Sequence, residues 1–477
     1  MTELSPARAV ALDILLELEE SGAYARDALD ASPAVRELDR RDAGLVTRLV
    51  LGVVATYGCL DELIDTYCDK PGRMNARIRN ALRIATFEAL YLGTESRVVV
   101  SQGVELVRSR AKSAAGFANA VLRRVCEDKD RYLDALDMPA GSERSLTSLA
   151  RQGGLPLWLT DEFLASLGSD RARHLVEAQL EPAPVAAYLN PRDERALAEV
   201  AQAVEDSGAA DEGGTGLPGC VAPVAAAQLV ASDVLRRGGA VVCDSHAQLI
   251  AAAAVHGGTC LEVGAGRGTK TFVMAALAQR CGIECSAVAL ELSKKRTRLN
   301  RRRMERAGLA DEIRFITGDG CNLERSLARL DEQAGECVRF DSVFVDAPCS
   351  GTGTMRRHPE IPWRLTPQDI EEDLPELQFE LLSQAARCVR AGGQLLYATC
   401  SVLRQENEGV VDAFLASDAG RGFTLVPVST APLFQRDDFA QAVSYVQARE
   451  DARGMFQSVP ALDAFDGHFC ARLIRSR

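Results

Sequence analysis

From about Ala240 onward, short apolar runs alternate with stretches of helical period. They read "TCLEVGAG", "FVMAALAQR", "CSAVALEL", the basic "KKRTRLNRRRMER", "IRFITGD", "FDSVFVDAPC", "ELQFELLSQAARCVR" and "GGQLLYATC". No other feature narrows the fold as far. Strand and helix in turn predict a parallel sheet with right-handed crossovers. Ligands of such sheets lie outside the carboxyl ends of the strands. The residues able to do chemistry fall at those ends: Glu262 to Gly268, Glu291, Asp319, Asp346 with Cys349, and Cys400.

The first part of the chain has a different period. "ARAVALDILLELEE", "RRDAGLVTRLVLGVVATYGCLDELIDTYC", "RIRNALRIATFEALYLG" and "VVVSQGVELVRSRAKSAAGFANAVLRRVCE" repeat apolar residues at helical spacing, which predicts an all-α domain over residues 1–138. Turn formers in "DMPAGSERS" end it, and "LPLWLTDEFLASLGS" opens a mixed stretch, read as a small α+β subdomain over 145–235. Within that stretch "EDSGAADEGGTGLPG", Glu205 to Gly219, reads as a surface loop. Residues 236–477 form the α/β domain. A chain of 477 residues with 47% hydrophobic content can bury several such cores.

Composition removes several function classes. The fourteen cysteines lack paired C-x-x-C spacing, so neither a disulfide framework nor a zinc site is expected. No apolar run reaches the roughly 20 residues of a membrane span and the start reads as an amphipathic helix, so the expected location is the cytoplasm. The net charge of −12 argues against indiscriminate nucleic-acid binding. Basic residues nevertheless cluster: 13 Lys and Arg against 6 acids from Lys70 to Arg131, and 8 against 1 from Lys294 to Arg306. Either stretch could hold a polyanion, or be a solvated helix face.

"LEVGAGRGTKT" places glycines between a strand and a helix, where a ligand can approach the backbone and the helix N-terminus. It lacks the spacing of a phosphate-binding Walker loop. An acid ending the next strand, Glu291, can take both hydroxyls of a ribose, and Asp319 ends the third strand where an adenine amino group could be read. Acids at three successive strand ends suit the sulfonium of S-adenosylmethionine better than a dinucleotide. The candidate cofactor residues are therefore Gly264, Ala265, Gly266, Arg267, Gly268, Thr269, Lys270, Glu291, Asp319 and Asp346.

Two thiols end two further strands, in "DAPCSGTG" and "YATCSV". Carbon 5 of cytosine is a poor nucleophile. Methylating it requires a thiolate to add at C6, an acid at N3, and a base to remove the C5 proton before elimination. Asp346 can be the acid, and Cys349 or Cys400 can supply the sulfur.

"DAPCSGTGTMRRHPEIPW" followed by "GGQLLYATCSVLRQENEGVV" resembles motifs IV and VI of the RNA cytosine-5 methyltransferases of the NOP/Sun family. "RRHPEIPW" is similar to its bacterial branch acting on 16S ribosomal RNA. "LRIATFEALYL" and "GFANAVLRRV" resemble that branch's NusB-like RNA-binding domain, and "FQSVPALDAFDGHFCARL" its last strands. The resemblance implies a NusB-like helical domain, then a small α+β subdomain, then a Rossmann-like class I methyltransferase domain. It also implies S-adenosylmethionine as cofactor, RNA, and specifically 16S rRNA, as partner, no metal and a monomer. By the same resemblance Cys400 attacks, Cys349 helps release product, and Asp346 assists. The chain departs from the family's D-x-C-A-A-P-G-G-K-T, carrying Glu262, Gly264, Gly266, Arg267 and Thr269 at altered positions and keeping Lys270 and Thr271. Glu291 replaces the usual Asp. Two other readings are a tRNA cytosine methyltransferase, with the same chemistry, and a non-catalytic RNA-binding, antitermination-like protein.

Overall fold

The computed structural model describes residues 3–207, 214–221, 232–335, 337–462 and 464–476. The chain divides into two compact units. One comprises residues 1–182 together with Met355–Pro367, and the other comprises Ala183–Thr354 and Gln368–Arg477.

The first unit is helical. Helices Pro6–Ser21, Arg40–Thr66, Ala76–Tyr91, Ser96–Arg110 and Ala115–Leu133 surround one apolar core that includes Leu12, Leu49, Leu60, Leu82, Phe87 and Leu122. Side-chain caps start two of them: Asp39 accepts from the Asp42 amide, and Asn75 from the Arg77 amide. By length and composition Arg40–Thr66 could cross a membrane, but half of its most apolar window is buried within the protein. Helices Ser142–Gly153, Leu157–Leu167 and Ser169–Ala178 complete the unit's first segment.

The second segment, Met355–Pro367, closes over the long helix. The ring of Trp363 fills a slot that exists because residue 58 is glycine, since a Cβ there would lie 2.1 Å from a ring carbon. The indole Nε1 donates to the Ala55 carbonyl at 2.7 Å, and the Tyr57 and Trp363 rings lie 5.1 Å apart.

The second unit carries two sheets. Strands β1 (Ala187–Leu189), β2 (Cys220–Val221) and β3 (Ala240–Val242) form a small antiparallel sheet in the order β2-β1-β3. Helix Glu194–Ser207 precedes β2, so the helix runs on through the first residues of the stretch read as a loop. Residues 208–213 of that stretch lie outside the described residues.

The large sheet contains β4 (Gly258–Val263), β5 (Cys285–Glu291), β6 (Ile313–Thr317), β7 (Phe340–Asp346), β8 (Val389–Thr399), β9 (Phe423–Val426), β10 (Phe456–Ser458) and β11 (His468–Arg475). Its order is β10-β11-β8-β7-β4-β5-β6, with β9 also pairing β11. Strands β4 to β8 are mutually parallel, whereas β11 runs antiparallel to β8, β9 and β10. This is a mixed, Rossmann-like sheet whose parallel part, β4 to β8, is what the alternating period predicts, with antiparallel strands added at the β11 edge.

Successive residues of a strand face opposite sides. On β7, Val343 and Val345 enter the core under helices Leu323–Ala334 and Leu374–Arg387, while Phe344 joins Phe272 and Leu277 on the other face. On β8, Leu395 and Tyr397 face the first side, and Leu396 and Ala398 the second. With both faces covered, these strands read as continuous apolar runs. The order reverses at β4, which lies between β5 and β7, and the crevice that opens at such a switch point is where this sheet can hold a ligand.

Candidate active site

The chain leaves β4 through Gly264, whose φ of 87° is strained for any residue with a side chain. A Cβ there would lie 2.3 Å from the Asp346 carbonyl oxygen, so glycine lets the β4 and β7 ends approach. At Gly266 (φ 56°) a Cβ would meet nothing closer than the Gly264 oxygen at 3.8 Å. Open space therefore lies against the loop backbone, just before helix Thr269–Cys281. Ala265 is buried and Arg267 exposed.

Four acids surround this loop or end neighbouring strands. Glu291 accepts from the Gly266 amide at 2.9 Å and the Ser293 amide at 2.8 Å, so it braces the glycine loop directly. Asp319 accepts from the Cys321 amide at 2.9 Å; among the described residues no hydrogen bond joins it to the loop. Glu262 receives the Thr271 hydroxyl at 2.6 Å, while its Oε1 is buried without a partner. Burial pushes its carboxyl up to about 7. An orphaned buried oxygen beside an open glycine loop fits a site built to receive a polar ligand such as a nucleoside cofactor. Asp346 pairs with Lys270 at 2.6 Å. Burial works against the Lys270 ammonium, but Asp346 outweighs it and raises its pKa, so the lysine stays charged.

The two thiols meet. Cys349 Sγ and Cys400 Sγ are 3.2 Å apart, and the Cys400 amide donates to Cys349 Sγ at 3.3 Å. The hydrogen bond with Cys400, then burial, pushes the Cys349 thiol well up. The Cys400 thiol is lowered, first by the hydrogen bond from Cys349 and then, against burial, by the Lys270 ammonium. Of the two sulfurs, Cys400 is the one whose thiolate the Lys270 ammonium favours.

Some basic residues are committed elsewhere. Arg303 of the basic helix Lys294–Ala307 donates to Thr269 Oγ1 at 2.9 Å, and the Arg301 guanidinium lies over the Phe315 ring. In the helical unit Arg79 and Arg83 pair with Asp61, and Arg108 and Arg110 with Glu105 and Asp13. The local excess of positive charge is smaller than the residue count implies.

Residues absent from the sequence reading hold the thiol loops. The buried Glu406 carboxylate accepts from Ser350 and Ser401, the residues that follow the two cysteines, and from Gln378. The one sequence cue is its place shortly after "YATCSV".

A glycine loop after β4, acids at the next strand ends and a charged lysine beside paired thiols define a Rossmann-like methyltransferase, here carried with a NusB-type helical unit. The chain matches the 16S rRNA methyltransferase RsmB/F family over residues 249–474 and the NusB family over residues 5–127. It is 31% identical over 411 residues to the ribosomal RNA small subunit methyltransferase B of Thermus thermophilus, covering 86% of this chain and 87% of that one. It is 28% identical over 418 residues to the "Probable ribosomal RNA small subunit methyltransferase B" of Bacillus subtilis, covering 86% and 88%. The solved structure of PH0851 shares the fold over 99% of both chains, with a TM-score of 0.69 and 21% identity. The chain belongs to the RsmB/F family of S-adenosylmethionine-dependent ribosomal RNA methyltransferases.

Proposed function

We propose that this protein forms 5-methylcytosine in 16S ribosomal RNA through a covalent bond between Cys400 and the base. The observation that carries the reading is the sulfur pair, 3.2 Å apart, beside the Lys270–Asp346 ion pair. A thiol lowered by a neighbouring ammonium is suited to add to C6 of cytosine, and a carboxyl group one strand away can hydrogen-bond N3 as charge builds there. In this reading Asp346 takes that part in its protonated form, once the entering base displaces it from Lys270. After C5 has received its methyl group a base takes its proton, the C5–H electrons form the C5=C6 double bond, and the C6–S bond breaks with its electrons leaving on the Cys400 sulfur as thiolate. Cys349, 3.2 Å from the Cys400 sulfur, assists that elimination.

S-Adenosylmethionine supplies the methyl group when bound. The residues that would hold it are Gly264 to Lys270 along the loop, with Glu291 at the ribose, Asp319 at the adenine, and Asp346. In this reading residues 1–138 bind RNA, residues 236–477 do the chemistry, and residues 145–235 form the subdomain that joins them. A target cytosine inside a helix must be turned out into the pocket.

Bisulfite sequencing of ribosomal and transfer RNA from cells with and without the protein tests substrate and product together. Loss of one 16S cytosine signal is expected. Loss of a tRNA signal instead would transfer the activity to tRNA, and no lost signal would leave the non-catalytic RNA-binding reading.

A further inference from the structure

Each reactive thiol is followed by a serine, Cys349-Ser350 and Cys400-Ser401, and both serines bond to one carboxylate. Glu406 Oε1 accepts the Ser350 and Ser401 hydroxyls, the latter at 2.6 Å. Its Oε2 accepts the Ser350 amide at 2.7 Å and Gln378 Nε2 at 2.9 Å. The same Gln378 amide donates to the Pro348 carbonyl, so the residues on both sides of Cys349 are tied. The carboxylate cannot drift, because the Tyr397 hydroxyl on β8 donates to the Glu406 carbonyl at 2.6 Å and the residue is 0% exposed.

We propose that Glu406 is a positioning residue for the thiol pair: its carboxylate sets the separation of Cys349 from Cys400 by clamping the loops that carry them. A buried acid that served only stability would have no need to bridge these two loops. The effect on product release rests on the roles proposed above for Cys400 and Cys349; the effect on the sulfur separation does not.

Glutamine can stand in for Glu406. The fixed donors, the Ser350 amide and the Gln378 amide group, face Oε2, whereas Oε1 faces only hydroxyls that can turn and accept. Glu406→Gln therefore keeps the clamp, and Glu406→Ala removes it.

Cross-linking of the full-length protein with diamide measures the separation. Diamide takes two electrons and two protons from a thiol pair, becomes the hydrazine derivative, and leaves a disulfide. Cys260 and Cys285, whose sulfurs also lie 3.2 Å apart, serve as a reference pair in the same molecule. Relative to that pair, Glu406→Ala should slow Cys349–Cys400 closure by about tenfold or more, tenfold being the scale of just one of its four hydrogen bonds to a charged group, and Glu406→Gln should restore it. Closure at the wild-type relative rate in Glu406→Ala overturns the proposal, as does failure of Glu406→Gln to restore it. If Glu406→Ala does not fold, the double variant Ser350→Ala, Ser401→Ala removes both hydroxyl ties and must slow closure in the same direction.

The RNA adduct is read in parallel on a denaturing gel. Glu406→Ala should accumulate it as Cys349→Ala does, and Glu406→Gln should not. If Cys349→Ala itself gives no adduct, the roles assigned to the thiols fall while the cross-linking result still decides the role of Glu406.

Discussion

Two cysteine pairs sit across neighbouring parallel strands of one sheet, each with 3.2 Å between sulfurs. Cys349 and Cys400 follow β7 and β8 at their carboxyl ends, and Cys260 and Cys285 lie toward the amino ends of β4 and β5. In both pairs the internal hydrogen bond raises one thiol and lowers the other. Closeness of sulfurs is therefore not what distinguishes a reactive pair. The surroundings differ: Lys270 lowers the Cys400 thiol further, against the upward pull of Asp346 and Glu406, whereas the charges around Cys285, Asp341 and Glu312, both act upward on it. Loops that follow β7 and β8 carry the first pair, and extended strands carry the second.

The largest effect that could break this contrast is loss of each lowered thiol. Cys400→Ala should reduce labelled methyl transfer to RNA by a factor on the order of 10⁴ or more, the scale of removing a covalent nucleophile. Cys285→Ala should leave it within about twofold, since nothing in that pair touches the chemistry. Comparable losses from both would erase the distinction. Among the raised thiols, Cys349→Ala should trap RNA as a denaturant-resistant band that requires S-adenosylmethionine and Cys400, and Cys260→Ala should trap none.

The acids at the two ends of the sheet sharpen the comparison further. Glu291→Ala should weaken cofactor binding by about ten- to a hundredfold in calorimetry, the value of a hydrogen bond to a charged group. Asp341, which accepts from Thr259 and Arg390 at the amino end, should leave that affinity unchanged on replacement by Ala and lower the melting temperature instead. The smallest effect is one of pH. The ammonium of Lys270 lowers the Cys400 thiol, so Lys270→Met raises it, and the acid limb of the kcat/KM profile should move to higher pH. Alkylation of Cys285 by iodoacetamide should keep its pH dependence. A limb that stays in place removes Lys270 from the activation of Cys400.

Much of this site was legible because its residues stand where apolar runs stop. Gly264, Glu291, Asp346 and Cys400 each end or follow a strand that the two-sided burial of a parallel sheet makes conspicuous. Glu406 was not legible. In "RQENEG" it reads as one more solvated charge, and only the meeting of the Ser350 loop, the Ser401 loop and helix Leu374–Arg387 buries it. Charge counting overstated the free positive charge for a related reason. Arg83 and Arg303 contribute to basic runs, yet their partners Asp61 and Thr269 come from other elements. The association of Trp363 with Ala55 spans 308 residues, which no periodicity can report.

That long span inverts the order in which the protein is completed during synthesis. A ribosome delivers residues 1–182 well before Trp363, and the segment that fills the Gly58 slot arrives only after β7 has been made. During that interval the nascent helical unit presents the bare flank of its longest helix, including Tyr57, to solvent and to anything that binds exposed apolar surface. The amino-terminal helical unit is thus the earlier to be translated and the later to be finished. A fragment cut at Pro182 would reproduce that waiting form permanently.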